Sequence, residues 1–217
     1  MIRVDLQNLW YDEHGGPAAE FAMVLPVALM FLLGMIDVGR YMWEYNQAEK
    51  ATQMGTRYAV VTNPVASGLA TYSFVTNCGI PQGDPIPSSA YPGLICTGGG
   101  TVASPTASCN VSAGASSSCT TAIPTTSSGA SLGAIVNRMR LFKPDILPTQ
   151  VTVTYANSGL GYSGDPNGLD VAPLVTVSVT GLTFQPLTTI LFPSSSMTIG
   201  PFSYSLTMED GNGTFSN

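Results

Sequence analysis

Sixteen consecutive residues without a charge, Phe21 to Ile36, constrain this chain more than any other feature. Nine of them are Leu, Ile, Val or Phe, and together these contribute about −3 to −5 kcal/mol toward membrane insertion. The flanking charges, Glu20 and Asp37, fall toward the ends, where a charge costs less than at the bilayer centre. From Pro17 to Ile36 there are twenty residues, and at a rise of about 1.5 Å each a helix of that length crosses a hydrocarbon core of about 30 Å. A buried core helix of a soluble protein is the competing reading of the same run. Pro26 is compatible with a span, because helices embedded in lipid tolerate a kink.

A secretory signal would close this run with small residues and a cleavage site, and that pattern is missing. The run passes instead through Ile36-Asp37-Val38-Gly39-Arg40 to Tyr41, Trp43 and Tyr45, at the depth where aromatic rings favour the membrane interface. Val38, Tyr41, Met42, Tyr45, Ala48, Gly55 and Ala59 then recur near helical spacing, with Asn46, Glu49, Lys50, Gln53 and Arg57 on a polar stripe. The pattern predicts one helix that stops near Asn63, because Pro64 disfavours helical backbone in the residue before it. A helix from about Ala18 to Thr62 would be roughly 67 Å long, so about half of it would stand clear of the bilayer as a stalk. Charged residues are only 9% of the chain against about 25% in ordinary soluble proteins, which points away from the cytosol. The net charge of −6 comes with no basic patch, so nucleic acid is excluded as a partner.

Four segments, taken together, resemble the TadE-like pseudopilins of the bacterial tight-adherence (Tad, or Flp) type IV pilus system. They are Gly15-Gly16-Pro17-Ala18-Ala19-Glu20-Phe21-Ala22, Val24-Leu25-Pro26, Ile36-Asp37-Val38-Gly39-Arg40 and Gly55-Thr56-Arg57-Tyr58-Ala59. The resemblance covers about the first 62 residues. It implies a minor pilin that takes part in pilus assembly and so supports adhesion and biofilm formation. It also implies a leader, residues 1–15, removed by a prepilin peptidase on the cytoplasmic face after Gly15, leaving Gly16 as the new N-terminus. Glu20 would then be the fifth residue, beside Phe21, and its carboxylate would pair with the terminal amine of a neighbouring subunit. Partners would be the inner membrane, the peptidase, other pilin subunits and the Tad secretion machinery, with the C-terminal head in the periplasm or carried into an extracellular pilus. Three alternatives stay open: Glu20 as a solvated headgroup-level residue, a permanently anchored structural or adhesive envelope protein, and a type II secretion pseudopilin.

Residues 63–129 are rich in Ser, Thr, Gly, Pro and Ala and hold all four cysteines, Cys78, Cys96, Cys109 and Cys119. No long periodic segment shows there, so an irregular insertion is expected, and the even cysteine count fits two disulfides in an oxidising compartment. Short loops close most readily, which favours Cys78 with Cys96 and Cys109 with Cys119. Zinc is disfavoured: CxxC spacing is missing, and the only histidine, His14, lies in the leader.

From residue 130 an α+β head is legible. Leu132, Ile135, Val136, Met139 and Phe142 have helical spacing behind Ser131, a candidate N-cap, and Pro144 closes the segment. Three strands are expected, around Val151-Val153-Tyr155, Val175-Val177-Val179 and Phe202-Tyr204-Leu206-Met208, as an antiparallel sheet with the helix on one face. Asp165-Pro166-Asn167-Gly168-Leu169-Asp170 offers oxygens to calcium but lacks a full ligand loop and reads as turn chemistry. The expected fold is therefore α+β and pilin-like, with a transmembrane and stalk helix at 16–62, the insertion at 63–129 and the head at 130–217. No cofactor is implied. Without a usable histidine base, and with cysteines that read as structural, the chain is not expected to be an enzyme.

Overall fold

Pro17 falls in the first turn, where the missing N–H costs nothing, and Pro26 is the one proline farther inside, so the computed structural model forms a single helix there, α1 (Gly16–Ala59). Residues 16–112, 118–166, 168–190 and 196–208 are described; the leader expected at residues 1–15, with Gly15, lies outside them. The helix ends before the expected Asn63. Val61 N–H donates to Tyr58 O at 3.4 Å, and Thr62 Oγ1 donates to the same carbonyl at 2.8 Å, so the chain tightens into a turn ahead of Pro64.

The chain divides into two units, Met1–Trp43 with Gln185–Met197, and Glu44–Phe184 with Thr198–Asn217. The described part of the first is α1 through Trp43 and a short segment that opens with a 3-10 turn, Leu187–Ile190.

In the second unit, five antiparallel strands form a sheet in the order β2-β1-β3-β4-β7. They are β1 (Leu94–Gly100), β2 (Pro105–Val111), β3 (Val151–Ala156), β4 (Leu174–Val179) and β7 (Phe202–Thr207). The strands β5 (Leu182–Phe184) and β6 (Met197–Ile199) pair separately. The three strands expected from alternation are β3, β4 and β7, adjacent in the sheet, with Val153 opposite Val177 and Val177 opposite Tyr204. The sheet is wider than expected because residues 94–111, taken from composition as irregular, pair as β1 and β2 and join β3. Their sequence, with Gly98-Gly99-Gly100 and few apolar residues, hides the period-2 signal. Gly98 is required by a close approach: an added Cβ there would lie 2.9 Å from Val151 O and nearer still to Pro148 O.

The expected helix of the head is α3 (Gly129–Arg140), with Leu132, Ile135, Val136 and Met139 buried. Its N-cap is Ser128, three residues before the expected Ser131; Ser128 Oγ accepts the Ser131 N–H at 3.1 Å. A short helix, α2 (Phe74–Cys78), precedes the sheet. At the centre Tyr155 OH accepts the Val65 N–H at 2.8 Å, and Tyr91 OH donates to Tyr155 O at 3.2 Å. Burial pushes both phenols well above the ordinary tyrosine value, for Tyr155 against the opposing effect of the Val65 and Ala66 N–H groups.

Candidate functional site

The apolar stretch of α1 is exposed. Over its most apolar window the mean hydropathy is 2.3 and only 6% of the residues are buried, so the core-helix reading fails: a core helix would have covered Phe21, Met23, Phe31 and Met35. One helix in the described chain is thus long and apolar enough to cross a membrane. Gly16, Glu20 and Phe21 are exposed on its first turns, and no ion pair to Glu20 is present among the described residues. Gly16 and Glu20 are four residues apart and share one helix face.

The Ile36–Arg40 motif has a structural use that its position as a flanking charge did not reveal. Asp37 Oδ1 accepts the Leu187 N–H at 2.7 Å and Asp37 Oδ2 the Thr188 N–H at 2.9 Å. Arg40 Nη1 donates to Asp37 Oδ1 and to Gln185 O, each at 3.3 Å. A helical carboxylate thus caps the first donors of the Leu187–Ile190 turn, and a guanidinium one helical turn on holds the preceding carbonyl. Sequence could have offered only the Asp-x-x-Arg spacing; its partners are about 150 residues away.

The Gly55–Ala59 motif has a packing explanation. Gly55 meets Met139 of α3, and an added Cβ would lie 2.6 Å from Met139 Cγ. Thr56 Oγ1 donates to Thr52 O at 3.0 Å and to Tyr204 O of β7 at 3.1 Å, while Ala59 is buried. With Ala48, Ala51 and Thr52 also buried, this half of α1 presents small residues to its own unit. Where α1 enters the unit, buried Lys143 lies 3.0 Å from Asp145 and 3.5 Å from Glu44. The positions foreseen as one stripe therefore behave differently, since Val38 and Met42 are exposed.

All four cysteines are bonded, but as Cys78–Cys119 and Cys96–Cys109, which corrects the expected neighbour pairing. Cys96 and Cys109 are partners in the β1/β2 register, so the strand pairing overrides loop length. Cys78 ends α2, where Thr120 N–H and Oγ1 both donate to Asn77 O. In the acidic loop Asp170 is a turn residue: its oxygens accept the Phe74 N–H at 2.9 Å and the Asp165 N–H at 3.1 Å. Asn167 lies outside the described residues.

Residues 15–57 match a family model described as TadE-like protein. Comparison with curated proteins gave no match, and comparison with solved structures gave none.

Proposed function

From this TadE-like N-terminal segment, residues 15–57, we propose that the chain is a minor pilin or pseudopilin that takes part in assembling a tight-adherence type IV pilus. In this reading Pro17–Ile36 spans the inner membrane once and the head lies in the periplasm. A prepilin peptidase cuts after Gly15 and makes Gly16 the N-terminus. The observation that carries the reading is the coincidence of the matched segment with an exposed apolar helix, which is what a subunit that packs first in lipid and then among other stalks requires. Two disulfides in the segment 63–129 agree with an oxidising compartment.

Glu20 and Phe21 are the assembly residues in this proposal. A carboxylate at the edge of hydrocarbon is costly unless a partner or water stabilises its charge, and the ammonium group of a neighbour's Gly16 is such a partner. The pairing would set the axial register of one stalk against the next. Pilus counts in a strain lacking the native copy test it. Glu20→Leu is expected to insert but to leave the cells without pili, with Glu20→Gln separating charge from polarity. Normal pilus numbers with Glu20→Leu at matched protein level would defeat the proposed role and favour a permanently anchored envelope protein.

A further inference from the structure

Asp37 is the first charge after the uncharged run Phe21–Ile36, so a span over Pro17–Ile36 places it within the first turn beyond the hydrocarbon. The same carboxylate holds the Leu187 and Thr188 N–H groups at 2.7 and 2.9 Å. On that span the turn Gln185–Ile190, bonded to Asp37, would lie at the depth of the headgroup boundary. Irregular backbone is tolerated near lipid only where its polar groups have partners. Several polar groups of this turn have such partners: Asp37 takes two N–H groups, Arg40 takes Gln185 O, and Thr189 turns its N–H (3.3 Å) and its hydroxyl (2.7 Å) onto Pro186 O. Beside it on α1, Val38, Met42 and Trp43 are exposed, Trp43 about 9 Å beyond Asp37 along the axis, where an indole favours the interface.

We propose that the Gln185–Ile190 turn, latched by Asp37 and Arg40, lies in the interface of the adjoining phospholipid leaflet as a second, monotopic membrane contact. It rests on the reading of Pro17–Ile36 as a membrane span. The bilayer is the favoured occupant because the turn is bonded to α1 at the end of its apolar segment and offers half-buried Pro186 and Leu187 from a backbone whose named polar groups are partnered.

The test uses the full chain reconstituted in phosphatidylcholine and phosphatidylglycerol vesicles, with Trp10→Phe and Trp43→Phe removing the two native tryptophans. Leu187→Trp is expected to emit at blue-shifted wavelength and to be quenched more by lipids brominated near the headgroup end of the acyl chain than by lipids brominated at the bilayer centre. Met30→Trp, in the span, is expected to show the reverse preference. Pro186→Trp repeats the reading on the neighbouring residue should Leu187→Trp fail to fold. Adding Asp37→Ala is expected to abolish most of the shallow quenching; quenching that stays unchanged would overturn the latch. Water-like emission without quenching from Leu187→Trp and Pro186→Trp, while Met30→Trp is quenched, would overturn this inference and leave the span standing. No quenching at Met30 would overturn both.

Discussion

The two oxygens of the Asp37 carboxylate accept the Leu187 and Thr188 N–H groups and so cap a turn that lies 150 residues on in the chain. Hydrogen exchange in nanodiscs should therefore speed up at the Leu187 and Thr188 amides in Asp37→Ala, with Asp37→Asn intermediate because one acceptor oxygen survives. Unchanged exchange would show that the carboxylate does not hold the turn. Gly55 yields a change of sign. An alanine there gains about 1 kcal/mol of helix propensity but overpacks Met139 by about 1–3 kcal/mol, so Gly55→Ala should destabilise on balance. In a Met139→Ala background the clash is gone and Gly55→Ala should stabilise by about 1 kcal/mol, a coupling that denaturant titration of the four variants reads directly. Tyr91 and Tyr155 set an alkaline limit. Burial raises both pKa values, so the folded form keeps protons that the unfolded chain releases above about pH 10. Stability should be unaffected by these groups below about pH 10 and fall as pH rises from there. Two of the nine tyrosines should ionise only together with loss of the near-ultraviolet dichroism, and their free titration in the folded state would refute the burial.

The elements differ in how openly the sequence announced them. The run Phe21–Ile36 and the valine alternations of β3 and β4 were legible because each obeys one period over enough residues to exclude the other. β1 and β2 were not, because Gly98 is selected by close approach to the Pro148 and Val151 carbonyls and Gly99 and Gly100 by the nearness of Ser104 and Thr106, not by burial of alternate side chains. The same blind spot produced the wrong cysteine pairing, since the Cys96–Cys109 bond follows from a strand register invisible without β1 and β2. Non-reducing peptide maps should recover Cys78 with Cys119 and Cys96 with Cys109. The separations of 41 and 13 residues imply that losing the first bond costs about 1 kcal/mol more than losing the second, measured on paired Cys→Ala variants. An equal or reversed order would show that the reduced chain is not the flexible reference this comparison assumes.

At the scale of the whole molecule, one helix supplies two kinds of surface. Its first part is apolar and exposed, a candidate membrane anchor; its last part is small and buried against its own sheet and α3. The TadE-like match spans both, residues 15–57, so the matched motifs divide between the exposed apolar run, the Asp37 cap and the Gly55 packing. The assembly role proposed for Glu20 and Phe21 uses only the first part, and depends on the proposed cleavage after Gly15. The most direct test of the pilin reading is therefore the mass of the mature N-terminus, taken from membranes of cells that contain the matching prepilin peptidase. A mature chain that begins at Gly16 is expected, with a longer one in cells without the peptidase or after Gly15→Leu. A chain that keeps the residues before Gly16 in the presence of the active peptidase would contradict the pilin reading.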